Sequence, residues 1–372
     1  VASLAPPKAL PPPRRARHRR RTNRTFFRHA LAVRGAVTGA VVPRVLAFVL
    51  WAIVVGLIHH RIPSIGIEVG PVEIAGGALA LLLVLRTNAG YERWWEARKL
   101  WGGIVNQCRN LAATAIAQGP KTPEFRRAIA HWTVAFAHAA RRNLRGEVRA
   151  PELEPLLGAE TTREVERSVH MPGHVALAIS TILRDAADRG ALDRRAYQIA
   201  DQQRVLLIDH VGGCERILKT PLPLIYAIKI RRFILLYLAA LPFALVDRVG
   251  DAIAPVLVAL VAYPILGIDQ IAVELENPFP ASNLGHLPLD DICATIQRTV
   301  LGLLESAERL DAHEALSTLS SDSCEGDSCE GDSCEGDSCE GEPEVGTSVT
   351  RASAAAAANA DETVNATSGR RV

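Results

Sequence analysis

The chain has 372 residues, 48% of them hydrophobic, and a formal net charge of only +2. That length and apolar content exclude a wholly disordered protein, and the near-neutral balance excludes a strong overall pull toward nucleic acid. Seven cysteines match no secreted disulfide framework, so reduced thiols facing the cytoplasm are expected.

Residues 1–13 lack a continuous apolar core followed by a cleavage site, so no signal peptide is expected. Residues 1–27 read as a disordered basic arm carrying Arg14, Arg15, Arg17, Arg19, Arg20, Arg21 and Arg24. Its first reading is a topology determinant. Contact with anionic lipid or nucleic acid is the alternative, although no nucleic-acid partner is expected.

Four apolar stretches follow, and they give expected membrane spans at about 41–60, 69–85, 229–247 and 252–270. A lone spanning helix needs about 20 apolar residues. Some of these runs are shorter, and Arg44, Glu73, Pro242 and Pro255 interrupt or flank them. Buried helices of a soluble protein are therefore the alternative, but grouping into two hairpins with short turns at 59–68 and 247–251 favours the membrane. Arg and Lys concentrate before the first span and between the second and third, so both termini and the middle region are expected on the cytoplasmic side of a multi-pass cell-membrane protein.

Between the hairpins, residues 86–228 read as cytosolic helix. Trp94, Ala97, Trp101, Ile104, Cys108, Leu111 and Ala115 recur at three- and four-residue steps, the period of an amphipathic helix. A second such pattern covers about 193–218, and 146–172 reads as connection and short helix. Residues 271–310 complete the cytosolic helices. With no alternating strand pattern, the fold class is all-α. From 311 onward a disordered tail is expected, containing the repeat Asp-Ser-Cys-Glu-Gly at a period of five and an Ala-rich end. Cys324, Cys329, Cys334 and Cys339 are weak metal candidates, because zinc sites pair cysteines at closer spacing. No resident metal or cofactor is expected.

Three blocks carry a family resemblance: residues 86–111 (RTNAGYERWWEARKLWGGIVNQCRNL), 212–226 (GGCERILKTPLPLIY) and 267–296 (GIDQIAVELENPFPASNLGHLPLDDICATI). They resemble, in order, the bacterial branch of the bestrophin family, over roughly 28–305. The resemblance implies four transmembrane helices in two hairpins plus a cytosolic helical bundle, assembled as a homopentamer around one central pore. Chloride or other small anions would pass a hydrophobic neck lined by the second span. Arg86, Tyr91, Glu92, Trp94, Trp95, Trp101, Pro223, Asn277, Pro278 and Phe279 carry the likeness and read as structural, the aromatics as packing and interfacial anchors. The animal relatives' acidic calcium clasp is thinned here to Asp290 and Asp291. Calcium needs six or more oxygens, so calcium gating is not expected, and the two aspartates read as a helix's first turn.

In the implied pore, Pro71 and Val72 open the second span, where free amides of five helix starts would attract anions. Gly70, Ile74 and Ala78 would form the neck, a dewetting gate. Bulky side chains are common at these places in the family, so Leu81 is a further candidate for the constriction. Glu73 is expected either to pair with Arg44 or Arg61, or to tune selectivity. Arg195 is placed near a lower aperture, with an ordinary exposed arginine as the alternative. Three functions compete: an anion channel, a monovalent-cation channel of the same fold, and a non-conducting membrane scaffold or sensor using the Cys-rich tail. No motif of an enzyme is found.

Overall fold

The computed structural model describes residues 37–322, with side chains to 314. The basic arm and the cysteine repeat lie outside the described residues. The chain divides into a unit ending at Ala315 and a second from Leu316 onward, and the account below concerns the first.

Every regular element of the described residues is helical. In chain order they are α1 (Thr38–Arg61), a 3-10 turn (Pro63–Ile65), α2 (Val69–Gln118), α3 (Pro123–Arg145), a second 3-10 turn (Pro151–Leu153), α4 (Glu154–Leu157), α5 (Ala159–Arg167), α6 (Met171–Asp188), α7 (Arg194–Lys219), α8 (Leu224–Val249), α9 (Ala254–Glu276) and α10 (Leu289–Asp322). The local chemistry marks several of these ends. Asp193 caps α7, its carboxylate accepting from the amides of Arg195 at 2.9 Å and Ala196 at 3.4 Å, as a helix N-terminus requires. Gly146, at φ +70°, ends α3. Its amide donates to Asn143 O and that of Glu147 to Arg142 O, the paired return bonds that favour glycine at this place.

Two apolar cores result. The first joins α1, the start of α2, α8 and α9 through residues such as Val45, Val72, Leu79, Leu83, Ile234, Leu238, Val258 and Leu266. The second joins the rest of α2 with α3, α6, α7 and α10 through Trp101, Ile104, Leu111, Ile129, Phe136, Ile179, Leu207, Phe279 and Ile296. One continuous helix of 50 residues, α2, belongs to both. Its length is about 75 Å at 1.5 Å per residue, so the expected second span and the helix after it are one rod. Arg86 and Gly90 are the buried positions between the two cores. A Cβ on Gly90 would come within 3.2 Å of Ala272 O, so glycine is what lets α9 approach there.

Among the described residues, three helices, α1, α2 and α9, are long and apolar enough to cross a membrane. The expected third span lies in α8, but its apolar part is confined between Lys229, Arg231 and Arg232 at one end and Asp247 and Arg248 at the other. Large apolar side chains stay on the protomer surface along this half, Leu50 on α1 and Leu260 on α9 among them. An apolar surface of that extent needs lipid or another subunit to cover it. At the other end, α10 runs through the boundary expected at 310 and reaches Asp322. Asp311 holds it against α3 through an ion pair with Arg126.

The second core is rimmed by charge. On α3, Arg141 donates to Asp290 and Glu152, each at 2.6 Å. Arg145 reaches Asp290 at 2.8 Å, and Arg142 pairs with Glu152 and Glu147. Burial would raise the Glu152 carboxyl, but the hydrogen bonds from Arg142 and Arg141 outweigh it and hold it at about 2. The Arg145 hydrogen bond likewise holds Asp290 below its usual range. Cys108, Cys214 and Cys293 are free and buried. Burial pushes the Cys214 and Cys293 thiols up to about 12 and raises Cys108 as well, which leaves all three inert as nucleophiles.

Candidate functional site

The N-terminal third of α2 has two unlike faces. Val72, Leu79 and Leu83 are buried against the first core. Gly70, Pro71, Ile74, Ala78, Leu81 and Leu85 are exposed. Ile74 is 77% exposed and Leu81 62%, while Leu79 is fully buried. Steps of three and four residues put Gly70, Ile74, Ala78 and Leu81 on one stripe, so the helix carries an apolar row with no partner in the protomer. Val72 lies in the first turn of α2 beside Pro71, with its side chain buried in the core.

The helix opens at Val69 with Glu68 as its flanking residue, and no side chain caps its first amides. Pro71 lies within the first turn, where its missing N–H leaves no bond unmade. The connection before it is pinned by the amide of Ile67, which donates to Phe243 O at 3.1 Å. His59 at the end of α1 contacts Asp247 at 2.9 Å and Asp251 at 3.0 Å, tying the α1–α2 connection to the α8–α9 connection.

Glu73 is exposed, and the pairing expected with Arg44 or Arg61 is not formed among the described residues. Arg44 instead donates to Gln270 Oε1 at 3.2 Å, and Gln270 in turn donates to Glu274 at 3.2 Å. For Arg44 the reason lies in helix position. Arg44 is near the start of α1 and Glu73 near the start of the antiparallel α2, so they sit at opposite ends of the first core.

Below the exposed stripe, Arg86 is buried in an ion pair with Asp269 of α9. Arg231 of α8 reaches the other oxygen of the same carboxylate at 3.4 Å. This cluster was missed by sequence reasoning, which saw Arg86 only as part of a motif. The available signal was Asp269 itself, an acid at the end of an apolar run, which requires a cation nearby.

Two helical turns on, Arg93 donates to three main-chain carbonyls. They are Ile217 O at 2.5 Å and Thr220 O at 2.8 Å, at the end of α7, and Glu276 O at 3.2 Å, at the end of α9. A guanidinium satisfies there the orphan carbonyls and the negative dipole of two helix ends at once.

The motif aromatics divide by role. Trp101 is fully buried in the second core. Trp94 donates to Gly285 O at 2.7 Å. Tyr91 and Trp95 are about half exposed and stack with rings 6.4 Å apart, while Glu92 beside them is exposed. Pro223 flanks the start of α8. Asn277, Pro278 and Phe279 form the turn after α9. Asn277 Oδ1 accepts from the amide of Phe279 at 3.3 Å, Pro278 O accepts from that of Leu287 at 2.8 Å, and Phe279 is fully buried. Arg195 is exposed in the first turn of α7, far along the chain from the stripe on α2. The protomer alone does not bring the two together.

Residues 16–302 match the family model described as bacterial/fungal bestrophin protein. The chain is 37% identical over 296 residues to a voltage-dependent anion channel-forming protein of Nostoc, covering 78% of this chain and 95% of that one. A protein of the same description from Synechocystis is 36% identical, with coverage of 77% and 94%. The crystal structure of a bacterial bestrophin homologue from Klebsiella pneumoniae superposes with a TM-score of 0.66 at 30% identity, over 71% of this chain and 98% of that chain. The chain is an all-helical membrane protein and belongs to the bestrophin family.

Proposed function

We propose that the chain is one subunit of a homopentameric channel that passes chloride or other small anions. The observation that carries the reading is the apolar row on α2 at Gly70, Ile74, Ala78 and Leu81, exposed in the protomer while the opposite face is packed. Five such rows around an axis would make a hydrophobic neck, which gates by excluding water unless it widens. The uncapped α2 starts at Val69 and Pro71 would ring the mouth with amide dipoles that favour anions. The name given to the relatives in Nostoc and Synechocystis, anion channel-forming protein, supports the same reading.

In this assembly residues 28–310 are the channel body, α8 crosses with α1, α2 and α9, and the second core lies in the cytoplasm with both termini. Arg195 would ring a lower aperture at the start of α7. No enzymatic activity is proposed. A monovalent-cation channel of the same fold is the second reading, favoured by Glu73, exposed beside the stripe with no ion pair among the described residues. Chloride efflux from vesicles holding purified protein tests the proposal. Release of chloride, unchanged when external potassium is replaced by an impermeant cation and balanced by a proton carrier, supports it. Vesicles that release potassium and retain chloride refute it.

A further inference from the structure

We propose that a groove at the inner end of the first core binds an anionic diacyl phospholipid, its phosphate held by Arg44 and Arg231. The proposal rests on the membrane orientation given above. A cavity of about 490 Å³ opens between α1, α8 and α9, with Arg44, Phe48, Arg231, Leu235, Leu266 and Asp269 among its walls. Its walls combine the apolar Phe48, Leu235 and Leu266, suited to an acyl chain, with the charged Arg44, Arg231 and Asp269.

The charge balance says which headgroup belongs there. Arg86 and Arg231 pair with one carboxylate, Asp269, and Arg44 lines the same groove without pairing to it, so these three cations outnumber that anion by two, with Glu274 linked to Arg44 through Gln270. Both oxygens of Asp269 are engaged, Oδ1 by Arg86 and Oδ2 by Arg231. Arg44 finds only a neutral partner, Gln270 Oε1 at 3.2 Å, and Arg231 uses only its Nε on Asp269. The outer nitrogens of Arg231 and one of Arg44 are left to donate, and Arg231 stays half exposed. Two guanidinium groups above an apolar slot suit a phosphodiester, whose oxygens accept the fork of donors. Surplus positive charge at a membrane edge is costly without a counter-charge. The cytoplasmic leaflet supplies anionic lipid at that depth. Lys229 and Arg232, both exposed on α8, add to the attraction.

The test uses full-length protein in phosphatidylcholine vesicles with trace phosphatidylglycerol carrying a photoreactive acyl chain. Adducts are expected on the peptides holding Phe48 and Leu235. Labelling should fall with excess unlabelled phosphatidylglycerol and persist with excess phosphatidylcholine or inorganic phosphate. Arg44→Gln, which removes only an exposed contact, should lower labelling about five-fold. Leu235→Trp, which fills the slot, should abolish it while the oligomer elutes unchanged. Labelling that ignores headgroup and both variants overturns the proposal. So does competition by inorganic phosphate, which would mean a free-anion site, and so does a crosslink from the groove to a second copy of the chain. Protein that floats with vesicles but labels evenly refutes this site alone, whereas protein that does not float refutes the membrane reading as well.

Discussion

Arg86 and Asp269, 183 residues apart in the chain, form a buried ion pair that fastens α2 to α9 at the point where the two cores meet. Removing one partner of such a pair strands a charge, which costs about 3–5 kcal/mol, whereas replacing both by apolar groups of like size is often neutral. We therefore expect Asp269→Ala and Arg86→Ala each to lower the melting temperature of the detergent-solubilised protein sharply. The double variant Arg86→Met, Asp269→Leu should recover most of the loss. Arg231→Gln should cost less than either, because its side chain is 51% exposed. Equal losses for all three single variants would count against the assigned geometry.

Arg93 binds the ends of α7 and α9 through three carbonyls. Hydrogen bonds from a charged donor contribute about 1.5–3 kcal/mol each, with much overlap when one group makes several. Arg93→Ala should destabilise by about 3 kcal/mol, and Arg93→Lys should restore only part, since one ammonium cannot span the fork. Hydrogen exchange at the ends of α7 and α9 is the readout, and full restoration by lysine would contradict the account.

Acid should loosen the second core. Glu152 is held at about 2 and Asp290 below its usual value. Both carboxyls are lower folded than unfolded, so their contribution is complete above the ordinary carboxylate range and is lost as pH falls toward 2. His131 and His138 are lowered chiefly by burial, so they too oppose folding once the unfolded imidazoles protonate, below about 6.5. Melting temperature should thus decline in two stages, first below about 6.5 and again below about 4. Glu152→Gln should flatten the second stage, and a wild-type profile level from neutral to acid would refute the assignment.

Neighbouring positions on α2 should separate conduction from stability. Ile74 is 77% exposed in the protomer and Leu79 is fully buried. Ile74→Ser should wet the neck and raise conductance several-fold with little change in melting. Leu79→Ala should cost about 2–5 kcal/mol with little effect on conductance once folded. The reverse pattern, read by single-channel recording and thermal unfolding, would place the pore on another face.

The helical class and both hairpins were legible because apolar runs and three- and four-residue steps are local signals. The repeats of Trp94, Ala97, Trp101, Ile104 and Cys108 foretold the face that packs into the second core. What could not be read was pairing between distant segments. Glu73 was matched to Arg44 or Arg61 by charge, yet Arg44, at the far end of α1, meets Gln270, and no pair of Glu73 with Arg61 forms among the described residues. Asp269 sat within a recognised block and its partners lay on two other helices. The unbroken course of α2 was also hidden, because the change from apolar to charged residues at Arg86 looks like a boundary while the backbone simply continues.

The central claim is anion conduction, and the reversal potential of the purified protein in a planar bilayer under a potassium chloride gradient tests it most directly. Reversal near the chloride equilibrium potential, little changed in Glu73→Gln, is the predicted result. Reversal near the potassium equilibrium potential would contradict the account and assign selectivity to the exposed carboxylate of Glu73.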